Sequence, residues 1–176
     1  PIDIITLKER TKTLQIISHS IGVVLRMKAG AVSGKRSSNL ATNYNQRSLE
    51  NFMLSLRSSS RDKRTLRNTA EVAESLNMFN IAELLFQLAL EIDKEDSVTL
   101  YKWGSFLQRS KGDVIAAKAA FKASAKSSTA TAGSITKYAD FCFEQKNYKT
   151  AKKFYQKAVD LFPEHSVRKD VSNLYP

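Results

Sequence analysis

The sequence predicts an all-α protein: a stack of helical hairpins preceded by an N-terminal helical extension. A small–aromatic–small triplet carries most of this reading. Ala82-x3-Phe86-x2-Ala89 recurs as Ala117-x3-Phe121-x2-Ser124 and as Ala151-x3-Tyr155-x2-Ala158, with first residues 35 and 34 positions apart. Positions i, i+4 and i+7 share one helix face, and a period near 34 marks stacked two-helix repeats. The chain also holds only 6 Gly and 3 Pro in 176 residues, and few apolar runs alternate with the period of two that a strand requires.

Residues 1–29 read as one long amphipathic helix. Leu14, Ile17, Ile21, Val24 and Leu25 recur at spacings of three and four and fall on one face. The apolar stretch 14–27 is interrupted by Ser18, His19, Ser20 and Arg26 and is too short and polar to span a bilayer. Residues 30–45 are rich in Gly, Ser and Asn and read as a flexible loop. Residues 46–58 return to helix. There Ser48-x3-Phe52-x2-Ser55 repeats the triplet 34 positions before Ala82, as the second helix of a degenerate half-repeat whose first helix would fall in the loop. Ser58–Arg61 form a polar joint.

Three repeats follow at 63–96, 97–131 and 132–165, each an A helix and a B helix. The second is one residue longer, which places the extra residue in the turn at Ser110-Lys111-Gly112. Turns are expected near Asn77, Gly112-Asp113 and Lys146-Asn147, residues suited to left-handed or capping conformations. Residues 166–176 are expected to form a C-terminal capping helix, because a stack must cover its last apolar surface. Within each hairpin the small residues allow close helix approach and the aromatic fills the space between. The A helices supply Leu66, Ala70 and Ala73; Leu100, Gly104 and Leu107; Ile135, Ala139 and Cys142. Trp103 and Tyr138, just before the small residue, are expected to pack within their own hairpins.

This pattern resembles the tetratricopeptide-repeat (TPR) family. The third repeat matches best, with Ile135, Tyr138-Ala139, Ala151, Tyr155, Ala158 and Pro163 at the family's positions. The second departs at Ser124 and Thr129, and the first at Lys94. The resemblance covers residues 63–165 and implies a right-handed superhelix whose A helices line a concave, peptide-binding groove. The groove residues it implies are Arg64, Arg67 and Glu71; Tyr101, Lys102, Ser105 and Arg109; and Lys137, Asp140 and Phe143. The carboxylate clamp by which some relatives hold chaperone tails is not matched: Glu71, Lys102 and Gly133 replace its residues, while Arg67 and Lys137 lie at or near basic positions.

The net charge of +11 suits acidic partners: an acidic peptide, nucleic acid or another anionic surface. Lys118, Lys122 and Lys126 stand at i, i+4 and i+8 of one B helix; Lys149, Lys153 and Lys157, with Lys152 beside them, do so on the next. Like charges at this spacing cost a helix roughly 0.2–0.5 kcal/mol per pair. By the family's geometry this basic stripe lies on the convex side.

Catalytic and metal chemistry find no constellation. Gly30-x3-Gly34-Lys35-Arg36-Ser37 has one residue too few for a phosphate-binding loop and Arg where Ser or Thr should follow Lys. His19 and His165 are far apart. Cys142, the one cysteine, sits at a packing position and cannot form an internal disulfide, which fits a reducing intracellular compartment. The chain begins with Pro1 rather than Met, as an excised piece of a longer protein would. The reading is therefore a non-catalytic interaction scaffold or adaptor without cofactor. A nucleic-acid-associated repeat and a regulatory domain of a larger protein are the alternatives.

Overall fold

The computed structural model describes residues 4–32, 38–59 and 61–164. Its helices are α1 (Ile4–Ala31), α2 (Ser38–Ser58), α3 (Lys63–Ser75), α4 (Phe79–Ile92), α5 (Ser97–Phe106), α6 (Val114–Lys126), α7 (Ala132–Glu144) and α8 (Tyr148–Leu161). A π-turn, Leu107–Lys111, extends α5. The chain divides into two compact units, Pro1–Ile92 and Asp93–Pro176. The first contains the hairpins α1–α2 and α3–α4, the second α5–α6 and α7–α8. The expected capping helix at 166–176, like His165, lies outside the described residues.

The triplets are the core. All twelve of their residues, counting Ser48, Phe52 and Ser55, are at most 2% exposed. The three expected turns carry the left-handed residues Asn77 (φ 60°), Gly112 (φ 68°) and Lys146 (φ 58°). Short polar side chains cap the helix starts: Asp62, Asp96, Asp113 and Asn147 each accept from a backbone N–H of the first turn. Thr131 and Ser134 form a reciprocal capping box.

The extra residue of the second repeat is absorbed in the A helix rather than at its tip. The π-turn closes with Gly112 N–H donating to Leu107 O, an oxygen that also accepts from Asp113 N–H at 3.0 Å. A π-bulge is how a helix accommodates one inserted residue while keeping its remaining ladder.

The N-terminal region departs from the loop expected at 30–45. α1 runs to Ala31 and α2 begins at Ser38, so the Asn/Ser-rich segment is helical from there on. Ala41, Tyr44, Asn45 and Ser48 turn one partly or fully buried face inward, and packing along α1 outweighs the weak propensity of Asn and Ser. The helix packed on the Ser48–Phe52–Ser55 triplet is α1. Phe52 packs on Gly22, where an added Cβ would fall 2.7 Å from its ring. Phe121 packs on Gly104 in the same way, with a Cβ there 3.1 Å away. Hydrogen bonds repeat the correspondence. Ser55 Oγ donates to Gln15 O (3.2 Å) and Ser124 Oγ to Ser97 O (2.7 Å); each acceptor lies seven residues before its glycine. The first hairpin thus packs as the α5–α6 hairpin does, with two longer helices of 28 and 21 residues.

One expected face of α1 is not a core face. Leu25 is buried, but Leu14, Ile17, Ile21 and Val24 are 61, 48, 44 and 51% exposed. The face packed on α2 instead carries Gly22, Leu25 and Ala29, because the close approach of Phe52 to Gly22 sets the helix rotation.

Candidate functional site

In the second unit, α5 with its π-turn and α7 form the walls of a cavity of about 760 Å³. Five residues expected in a groove meet there: Ser105 and Arg109 from the first wall, Lys137, Asp140 and Phe143 from the second. Their i, i+3/i+4 spacing puts each set on one helix face. Phe121 and Phe141, tilted with centroids 5.2 Å apart, form part of the lining, as does Tyr155.

Polar contacts fix the walls. Tyr155 Oη donates to Asp140 Oδ1 at 2.6 Å, and Lys137 Nζ lies 3.8 Å from Asp140 Oδ2. Gln108 Nε2 donates to Glu144 Oε2 at 2.9 Å, tying the π-turn to α7. The cavity therefore offers two cations, two anions with partners already in place, hydroxyls from Ser105 and Thr136, and aromatic edges. Gln108 and Tyr155 were not in the sequence-derived set. Tyr155 had a readable signal: a Tyr at a buried triplet position needs a partner for its hydroxyl. Tyr101 and Lys102 stand elsewhere on α5, with Lys102 Nζ 6.0 Å from the Tyr101 ring centroid.

The remaining expected groove residues belong to the first unit, and two are not open. Arg67 is only 8% exposed. Glu71 is ion-paired with Arg26 of α1. Through Arg26, α1 thus reaches the side of α3 that carries Glu71. Arg64 is exposed and lines a cleft of about 450 Å³ with Gln15, Ile16, His19, Ser20 and Asp62.

At that cleft His19 Nδ1 lies 2.7 Å from Thr65 Oγ1. Thr65 gives its one hydroxyl proton to Asp62, so Nδ1 carries the proton and donates. Burial holds the His19 pKa below 6.5; Arg64, Arg67 and Arg26 add to this, and Asp62 opposes it. A folded-state pKa below the unfolded one means that the unfolded chain binds more protons, so stability falls as pH drops through 6.5 toward the folded value. Thermal melts of wild type should lose stability between about pH 7 and pH 5, and His19→Asn, which keeps a donor toward Thr65, should lose less. Equal losses would remove His19 from this role.

Of the stripe lysines, Lys118, Lys122, Lys126, Lys149, Lys152 and Lys153 are exposed on α6 and α8. Lys157 departs from the expectation. It is half-buried, its Nζ donates to Ala125 O at 3.0 Å, and it lies 5.8 Å from the Phe154 ring centroid. It satisfies a carbonyl at the end of α6, the kind of contact a cation makes at a helix C-terminus. Cys142 is buried, its thiol pushed up in pKa by desolvation, and Tyr138 is raised to about 12, chiefly by burial and then by Cys142. Both are core groups at neutral pH.

A sequence profile described as tetratricopeptide repeat matches residues 132–165, the hairpin α7–α8. That hairpin is a tetratricopeptide repeat. Solved structures agree in fold. A crystal structure of MamA aligns over 85% of this chain and 74% of its own, with 16% identity and a TM-score of 0.58. YrrB, described as a TPR protein with an unusual peptide-binding site, aligns over 85% and 91%, with 17% identity and a TM-score of 0.53. PilW, a type IV pilus biogenesis factor, aligns over 81% and 63%, with 14% identity and a TM-score of 0.58. No curated protein matches the sequence at a significant level. Among the described residues, no helix is long and apolar enough to cross a membrane.

Proposed function

We propose that this TPR protein is a non-catalytic scaffold that holds a peptide segment in the α5–α7 cavity. The observation that carries the reading is the convergence of Ser105, Arg109, Lys137, Asp140 and Phe143 on one concavity of about 760 Å³. Its volume is that of a small-ligand site, and its lining of polar and charged side chains beside four aromatic rings suits a polar peptide segment. Arg109 and Lys137 favour carboxylates, Ser105 and Thr136 suit a peptide backbone, and the rings accept an apolar side chain. The TPR architecture agrees with this use, and the structurally similar YrrB is described as having a peptide-binding site.

A peptide selected from a random displayed library against the full chain provides the probe. Arg109→Glu plus Lys137→Glu is expected to weaken its binding by at least about tenfold, or 1.4 kcal/mol. Lys118→Glu plus Lys122→Glu on α6 should leave it within about twofold, since rim and remote charges contribute little. Fluorescence polarisation of the labelled peptide measures both. Undiminished binding by the cavity variant overturns the assignment.

A further inference from the structure

The uncovered face of α1 has a partial counterpart on α3 and α7. Leu14, Ile17, Ile21 and Val24 are spaced by three, four and three residues, the seam spacing of two packed helices. Counted from Gly22 they stand at −8, −5, −1 and +2. The same offsets from Ala139 reach Phe141, which packs on Phe121 of the preceding B helix α6. From Ala70 they reach Thr65, Thr69 and Val72, all fully buried, with Thr65 bonded to His19 of the preceding hairpin. Thus −5 on α3 and +2 on α7 meet the hairpin before, while Tyr138, at −1 on α7, packs on Phe154 of its own hairpin. On α1 the face at these offsets is aliphatic and bare, a contiguous apolar patch of the kind that marks an interaction site.

α4 carries the complementary surface. Ile81, Leu84 and Leu88 are 45, 56 and 37% exposed and are spaced by three and four residues. The charges also differ in sign. α1 carries Lys8, Arg10, Lys12, Arg26 and Lys28 against Glu9 alone, whereas α4 carries Glu83 and Glu91 and no base. Two copies of α1 would repel; α1 and α4 attract.

We propose that a second copy of this chain covers the α1 stripe with the exposed face of its own α4. Aliphatic stripe meets aliphatic stripe, and the acidic helix lies along the basic one. Each copy carries both surfaces, so the contact is heterologous. It is separate from the α5–α7 cavity and does not depend on peptide binding there.

Sedimentation of the full chain tests this. Wild type is expected to associate with a dissociation constant in the roughly micromolar range. Ile17→Asp plus Ile21→Asp, both at exposed positions, should weaken association by at least about tenfold while circular dichroism retains the helix signal. Two charge-swapped variants identify the contact. Gln87→Lys plus Glu91→Lys makes α4 basic; Lys8→Glu plus Lys12→Glu plus Lys28→Glu makes α1 acidic. Each alone sets like charge against like and should fail to self-associate; mixed, they should recover wild-type affinity to within about threefold. Three results overturn the proposal: a wild type still monomeric at about 100 µM, a mixture that stays monomeric, or a monomeric chain whose α1 stripe binds phospholipid vesicles instead.

Discussion

Phe52→Ala is expected to cost the first unit about 3–5 kcal/mol, a large share of the stability of a small domain. Phe52 is fully buried against Gly22 and lies 5.5 Å, centroid to centroid, from the His19 ring. The gap cannot be filled by α1 moving in, because Ser48 and Ser55 hold its carbonyls at Gly22 and Gln15. Gly22→Ala reaches the same contact from the other side. Alanine normally favours a helix over glycine by roughly 0.5–1 kcal/mol. Here its Cβ would lie 2.7 Å from a fully buried ring, so the net effect should be destabilising, within the roughly 1–3 kcal/mol of overpacking. The pair Gly22→Ala with Phe52→Leu should be less damaging than the sum of the singles, since both act on one contact. Denaturant unfolding of the four proteins measures this. Hydrogen exchange should place the loss in residues 15–29 and 45–59. A Phe52→Ala protein of wild-type stability would show that α1–α2 is not a packed hairpin.

The same contact explains what the sequence disclosed and what it hid. The aromatic triplets were legible because their spacing is set within one helix, by the i, i+4, i+7 geometry alone. Pairing each triplet with its A helix needs the distance across the turn. The small A-helix residue precedes the triplet by 12 residues at Ala70–Ala82 and Ala139–Ala151, and by 13 at Gly104–Ala117. Gly22 precedes Ser48 by 26. That insertion hid α1 as the helix packed on this triplet and made the intervening Asn/Ser-rich stretch read as loop. The α1 stripe misled for a related reason: periodicity locates an apolar face but does not say whether another helix covers it. At the cavity, the outward positions of α5 and α7 followed from helix phase. The π-turn that brings Gln108 to Glu144, and the reach of the Tyr155 hydroxyl to Asp140, depend on a third dimension that spacing does not encode.

Phe121 joins the repeat core to the proposed peptide site, and its substitutions should separate stability from binding. It is 2% exposed, packs on Gly104 and Phe141, and yet lines the cavity. Phe121→Ala removes the aromatic at the centre of the α5–α6 hairpin and should cost about 3–5 kcal/mol. Much of the peptide affinity should go with it, because α5 loses the support that sets its spacing from α7. Phe121→Leu keeps a branched apolar side chain and should cost less, about 1–1.5 kcal/mol. It still replaces a flat ring in the cavity lining, so peptides bearing an aromatic residue should lose at least about threefold in affinity while aliphatic ones change little. Gly104→Ala should be tolerated better on the Phe121→Leu background than alone, since its Cβ meets the ring at 3.1 Å. Denaturant melts give the stabilities and polarisation titrations the affinities. If Phe121→Leu lowers stability but binds every selected peptide as wild type does, the ligand does not touch this part of the lining and instead rests on the charged rim at Arg109 and Lys137.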